Sequence, residues 1–384
     1  MQIVLFDNKQ RDKLYPFTAA RAVGSLKFGL FSLQERWNFF LNQATQILTK
    51  AEIQPIYNEL PLGDILLIDA AIVANEALVK QILKLQQGHY LSYSKGFIAG
   101  RIYTENPLSL NTVFDIGFNQ VQQYDNEVTR IDSPLQIIEN NVSFIRDDFF
   151  NYTTNKQSNN VDASNTIIAP SNIFIEEGAQ ITCSILNASN GPIYIGKNAT
   201  IMEGSLIRGP FVLGENAVVK MGSKIYGGTT VGKNCVVGGE IKNAVLQNFS
   251  NKAHDGYLGD SIIGEWCNLG AGTSNSNIKN TASEIKLWND EIKQFVLAGN
   301  KFGSLIGHYT RTAINSSINT GSVYGISCNV FGEGLLPKSI PSFTWGTQKS
   351  YEVDKAIDAI ENWQKLKGIN MSPQEKEMIK NLKK

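Results

Sequence analysis

Aliphatic side chains fall at Ile195, Ile201, Ile207, Leu213, Val219, Ile225, Val231 and Val237, a spacing of six held over eight consecutive positions. Glycine follows four of them, at 196, 214, 232 and 238, and the fourth residue after each is mostly small, as in Ala199, Ser205, Ala217, Ser223, Thr229 and Cys235. A period of six fits neither the turn of a helix nor the alternation of a flat strand. It suits a three-sided coil in which each side takes one hexad and points its aliphatic residue into the prism. Successive coils then hydrogen-bond at about 4.8 Å, and their stacked aliphatics share one apolar column that no single coil could bury.

Ahead of this stretch, residues 1–152 read as an α/β domain. Ile3 to Phe6 is a short buried strand; Ser32 with Glu35 forms a capping box for an amphipathic helix carrying Leu33, Trp37, Phe40, Leu41, Ala44 and Leu48. A second strand covers Ile65 to Ile68, and Asn75 caps a helix with Leu78, Val79, Ile82, Leu83 and Leu85. Strands alternating with helices predict a mainly parallel sheet with ligands at the strand carboxyl ends. The polar run at 153–166 reads as a linker or exposed loop.

The coil region is taken as 167–346. Hexads start at Ile175 and Ile181, pause at Asn187 to Pro192, and lose register after Val237, where AVLQNFSNKAHDGYLGD reads as a polar insertion interrupting the prism. They resume at Ile263 and Leu269, loop out from Asn275 to about Gly303, and run again at Ile306, Thr312, Ile318, Tyr324, Val330 and Leu336. Loops that break a regular solenoid usually carry function. The tail, 347–384, holds two helices. Tyr351 to Leu366 carries Val353, Ile357, Ile360 and Trp363, and Ser372 with Glu375 and Pro373 opens the last one. A cap on the solenoid end or packing on a neighbour is expected of them.

Composition narrows the field. The 384 residues carry 35 basic and 35 acidic side chains, so charge favours neither nucleic acid nor an anionic membrane as partner. Cysteines 183, 235, 267 and 328 form no CxxC pair, and Cys235 sits at the small corner of its hexad, which suits packing in a reducing cytosol. The N-terminus lacks the pattern of a signal peptide and no apolar run approaches a membrane span, so a soluble, cytoplasmic protein is expected.

Lys224 and Lys242 each hold the sixth place of a hexad, one regular coil apart. Stacked lysines would repel by about 0.9 kcal/mol in water and by more near a protein surface, a repulsion that a bound phosphate would turn into attraction.

The hexads resemble the left-handed parallel β-helix of hexapeptide-repeat acyltransferases; the hand comes from that resemblance alone. Within them, HDGYLGDSIIGEWCNLGAGTSNSN (254–277), with EIKN at 240–243, is similar to the acetyltransferase signature of the GlmU family, which makes UDP-N-acetylglucosamine. The resemblance implies that His254 is the general base of acetyl transfer from acetyl-CoA to glucosamine 1-phosphate. It implies that Lys242, Tyr257, Asn268 and Asn277 bind the sugar phosphate, with Lys224 joining them if the lysines stack, and that Ala271 meets acetyl-CoA. An amine must be uncharged to attack a thioester, and imidazole titrates near neutrality. His308 and Arg311, in IGHYTRT, have weaker parallels and read equally as solvent-facing coil residues.

The N-terminal domain, with LYPFTAARAVGSLKFGLFSLQERW, resembles a shortened sugar-nucleotidyltransferase domain of an alternative form of the same family. The family's Gly-rich phosphate loop is missing: DNKQRDKLYPF follows the first strand, and no glycine occurs before Gly24. Arg21 and Lys27 are the candidates to bind nucleotide phosphate in its place. Asp69, ending LLID, lies where the family holds Mg²⁺. The fold expected is therefore an α/β nucleotidyltransferase-like domain, an all-β left-handed parallel β-helix and C-terminal helices. The resemblance implies a homotrimer using a sugar 1-phosphate, acetyl-CoA and UTP or another NTP. The alternative is a sugar-1-phosphate nucleotidyltransferase whose coils only assemble subunits.

Overall fold

The computed structural model describes residues 1–383. Strand Gln2–Phe6 lies parallel to Gln46–Leu48 on one side and to Gly63–Asp69 on the other. Gly96–Thr104 then runs antiparallel to Gly63–Asp69 and to His89–Tyr93, and Gln120–Gln123 closes the six-stranded sheet in parallel. The sheet is thus mixed where a mainly parallel one was expected, because a tight turn after Tyr93 makes a hairpin instead of a helical crossover. Ser32 and Glu35 do form the capping box, but the helix spans only Leu33–Leu41. Asn42 takes a φ of 50°, and Leu48, expected on the helix, lies in the edge strand.

Three ladders of parallel strands build the solenoid. On the first face the inward residues are Ile195, Leu213, Val231, Leu246, Ile263, Ile306 and Tyr324. The second stacks Ile181, Ile201, Val219, Val237 and Lys252; the third stacks Ile207, Ile225, Ile241 and Leu258. The polar stretch after Val237 does not interrupt the prism. It forms coils with shortened corners, so that Val237 pairs with Lys252 and Ile225 with Ile241. Shortening also cancels the lysine stack: Lys224 lies opposite Glu240, and Lys242 projects beside Tyr226, its Nζ 5.8 Å from the ring centroid. The segment that does leave the prism follows Asn275. Its hairpin, Lys286–Asn289 with Gln294–Leu297, lies against the N-terminal domain through Ile285, Leu287 and Phe302.

The N-terminal domain and the solenoid share one core. Val245, Ile262, Leu305 and Val323 point outward from the first face and are buried among Phe17, Leu26, Phe28 and Ile138. Helix Pro134–Thr153, opened by Ser133 and Pro134, lies along this seam. Its Asn141 amide donates to the Gly228 carbonyl at 2.8 Å and accepts from Gly29 N–H at 2.8 Å, while Asp148 holds Arg36. Residues 154–165, within the run 153–166 expected to be a linker or exposed loop, form no helix or strand and lie along the first coil. Asn159 and Asn165 donate to the carbonyls of Ile175 and Ile181, covering an edge that would otherwise offer unpaired backbone groups.

The tail covers the second face. Arg311 donates to the Ala359 carbonyl and stacks on Trp363, and Lys367 reaches the Asn234 carbonyl. Glu375 does not complete its expected capping box: its carboxylate accepts from Tyr309 and Gln364, leaving Ser372 alone to cap Pro373–Leu382.

His308 is not solvent-facing. It is 1 % exposed, its Nε2–H donates to the Phe17 carbonyl at 2.8 Å, and its Nδ1 accepts from Glu265 N–H at 2.8 Å. Burial, helped by the nearby Arg21 charge, pushes the imidazole down to about 4. Because the unfolded chain takes up this proton near its ordinary value and the folded chain does not, stability must fall as pH drops from about 6.5 to about 4. His308→Ala should lower the unfolding free energy at neutral pH by roughly 2–4 kcal/mol, since two buried partners lose their hydrogen bonds. Denaturant titrations across that pH window should show wild type losing stability more steeply than the variant; parallel curves would contradict the assignment.

Candidate functional site

His254 stands exposed at the corner between the second and third faces. The coil below it ends its second-face strand at Asn251–Lys252 and begins the third at Tyr257. The next coil repeats this path: Asn251 pairs with Asn268, Gly272 N–H donates to the Asp255 carbonyl, and Tyr257 N–H donates to Ser274 Oγ. Ala271 therefore occupies, one coil on, the place of His254. At the roughly 4.8 Å spacing of neighbouring strands, the two lie side by side at one corner.

Tyr257 and Lys242 project from the third face beside this corner, where Lys242 pairs with Gly259. The Tyr257 ring lies across Gly259, so close that a Cβ there would sit 2.3 Å from the phenol oxygen. Laid flat, the ring brings its hydroxyl to the Asn277 amide, which donates to it at 3.0 Å. The same amide donates to Asp260, a buried carboxylate that also accepts from Asn243 at 2.7 Å. Burial holds the Tyr257 hydroxyl above its usual range, so it stays a neutral donor and acceptor. Lys301, which sequence reasoning did not single out, places its Nζ 3.7 Å from Asp260.

The other predicted residues lie elsewhere. Lys224 is exposed on the third face, one coil from Glu240. Asn268 belongs to the second face, between Asn251 and Arg311, and does not meet Tyr257 within one chain.

In the N-terminal domain, Asp69 ends its strand beside the carboxyl end of Gln2–Phe6. It borders a cavity of about 520 Å³ lined also by Asn8, Lys9, Gln10 and Arg130 and walled by Phe97, Phe114, Phe118 and Tyr90. Asn8 donates to its Oδ1 at 2.7 Å, and Arg130 lies 3.3 Å from its Oδ2. Burial nonetheless raises the carboxyl to about 6 against the opposing pull of Arg130.

Arg21 and Lys27 do not reach this cavity. Arg21 pairs with Glu265 at 2.8 Å and donates to Tyr309, joining the domain to the solenoid. Lys27 donates to the Leu30 carbonyl and to Glu35, and its backbone exchanges two hydrogen bonds with the Gln247 amide. Both guanidinium and ammonium are thus committed to internal partners. Asn8, Lys9 and Arg130 take their place at the cavity. Asn8 and Lys9 were legible as the polar loop after the first strand, whereas nothing in the local pattern marked Arg130.

Residues 3–157 match the family described as sugar nucleotidyl transferase. The bifunctional GlmU of Methanococcus aeolicus is 32% identical over 103 residues, 26% of this chain and 24% of that protein. A bifunctional sugar-1-phosphate nucleotidylyltransferase/acetyltransferase of Sulfurisphaera tokodaii is 32% identical over 101 residues, 26% of this chain and 25% of that protein. Over the matched stretch the chain is similar to GlmU proteins. Its matches span about a quarter of the length of these relatives. Among solved structures, the Arabidopsis UDP-N-acetylglucosamine acyltransferase aligns with 55% of this chain and 78% of its own, at 13% identity and a TM-score of 0.19.

Gly259 sets the attitude of the Tyr257 ring. Gly259→Ala should tilt the ring off the face and break its bond to Asn277 with a stability cost of at most about 1 kcal/mol, since the obstructing atoms belong to a side chain that can move. Side-chain amide NMR should then show the Asn277 resonances shifted; unchanged resonances would mean that the ring does not depend on this glycine.

Proposed function

We propose that the protein transfers acetyl from acetyl-CoA to the amine of glucosamine 1-phosphate at the His254 corner and transfers a uridylyl group to a sugar 1-phosphate at the Asp69 cavity. The observation that carries the first half is the coil register, in which His254 and Ala271 are neighbours at one corner with Lys242, Tyr257 and Asn277 on the adjoining face. His254 accepts the proton as the amine nitrogen bonds to the thioester carbonyl carbon; the C–S bond then breaks, the imidazolium returns that proton to the leaving sulfur, and CoA departs as the thiol. Lys242 offers its charge to the sugar phosphate, while Tyr257 and Asn277 orient the ring through hydrogen bonds.

For the second half, the N-terminal cavity supplies an aromatic wall for a base, Lys9 and Arg130 for phosphates, and one buried carboxylate. Among the described residues no cluster of three metal-ligating side chains exists. Asp69 fits Mg²⁺ in the sparse manner usual for that ion, one or two carboxylates with phosphate oxygens filling the other places. When bound, the ion would neutralise charge on the transferring phosphate. Asp69 would hold it, and Arg130 would move from the carboxylate to a phosphate oxygen.

We further propose a homotrimer in the cytoplasm. The first solenoid face lies under the N-terminal domain and the second under the tail, but the third exposes Ile185 (39 %), Leu206 (48 %) and Tyr226 (38 %). These residues continue along the same face to Lys242 and Tyr257, so a second copy docking there would enclose the sugar site.

Two assays on the purified protein test the reading. CoA release with glucosamine 1-phosphate and pyrophosphate release with UTP and Mg²⁺ should both occur, and Asp69→Ala should abolish only the second. Pyrophosphate release without CoA release would favour the scaffold reading of the coils, and an unaffected Asp69→Ala would remove the metal assignment. Light scattering at micromolar concentration should give three times the chain mass; a stable monomer would exclude the shared site.

A further inference from the structure

Lys252 occupies an inward position of the second face. Val237 precedes it in the column, and Asn251, its neighbour, pairs with Asn268, the residue before inward-facing Leu269. The other inward residues of this column are Ile181, Ile201, Val219, Val237, Leu269, Thr312 and Val330. A lysine here is 2 % exposed. Its four-carbon stem fills the prism as an aliphatic would, but its ammonium, the costliest group to take out of water, needs a partner. That partner is the backbone carbonyl of His254, 2.6 Å from Nζ.

Equivalent corners between the second and third faces are tied by a serine hydroxyl. Ser205 closes its corner by donating to the Met202 carbonyl at 2.8 Å, Ser223 to Lys220 at 2.6 Å, and Ser316 to Ala313 at 2.8 Å. At the His254 corner the matching place in the coil is Gly256, with no hydroxyl to give. Its φ of 121° and the Thr273 carbonyl, 2.2 Å from where a Cβ would stand, exclude serine there. The corner of His254 therefore lacks the serine tie, which in other coils holds the carbonyl equivalent to that of Ala253, and Lys252 instead holds the next carbonyl, that of His254, from inside the coil.

We propose that Lys252 is a positioning residue that clamps the His254 carbonyl and so fixes the corner 253–256 that aims the imidazole. The proposal rests on the acetyl-transfer reading for its catalytic consequence but not for the clamp itself. Lys252→Met keeps the stem length and removes the donor, and an apolar side chain suits the column, so the thermal midpoint should stay level or rise. Hydrogen exchange of the amides at 253–257 should accelerate by about tenfold or more, as expected for a corner that opens locally. The kcat for CoA release should fall by about 10- to 100-fold with the KM for glucosamine 1-phosphate little changed, because misaiming a base costs rate more than binding. Lys252→Gln, which retains a donor, should recover part of both. Unchanged exchange in Lys252→Met, or a loss of thermal stability with kcat intact, would overturn the proposal. If wild type releases no CoA, the acetyl-transfer reading fails by itself, and the exchange measurement still decides the clamp.

Discussion

The outward side chains of one solenoid face hold the molecule together. In most coils a residue pointing away from the prism meets water, but Val212, Val245, Ile262, Leu305 and Val323 are apolar and buried, and Thr230 is buried among them with its hydroxyl donating to the Gly29 carbonyl. Each such side chain, fully buried, contributes about 1.5–3 kcal/mol, so the seam with the N-terminal domain is itself a core. Polar contacts then fix its alignment: Asn141 against Gly228, Lys27 against Gln247, and Arg21 against Glu265. The two parts are one packed body, and the third face of the solenoid is left open.

The corner between the first and second faces shows how the sequence adapts a repeat to its neighbours. Backbone there adopts positive φ in coil after coil. The early coils use Asn198, Asn216 and Asn234, a residue type that tolerates this conformation. Later coils place Phe249, Trp266, Tyr309 and Phe343 at the same corner. Bulky residues are strained in that region, and the compensation is visible: Phe249 and Trp266 stack with centroids 4.3 Å apart, and Trp266, Tyr309 and Phe343 pack with Ile357, Ile360 and Ile379 of the tail. The asparagine corners Asn198 and Asn216 stand exposed, whereas the aromatic corners and Ser327 between them are covered.

Much of this was legible in the chain. The hexads located the inward columns, and His254, Tyr257 and Asn277 stood out through their motif. Helix Pro134–Thr153 is announced by Ser133, Pro134 and Gln136 at its start, but the polar run directly after it masks its end. The lysine stack failed because regular spacing was extended past Val237, where corners shorten and shift Lys242 off Lys224. Arg21 and His308 meet the other part of the molecule, and the Lys27 ammonium meets Leu30 and Glu35 of its own domain; a charged or polar side chain looks the same in sequence whether it faces a ligand or an internal partner. Only the fold distinguishes the two.

The proposed role of His254 as the base of acetyl transfer rests on a coil register that leaves the residue outside the packed body. Steady-state CoA release by His254→Ala, read beside its thermal unfolding, tests this directly. The account predicts a fall in kcat of about 10²- to 10⁴-fold, the usual contribution of a positioned base, with the unfolding midpoint unchanged. Full CoA release by the variant would contradict it.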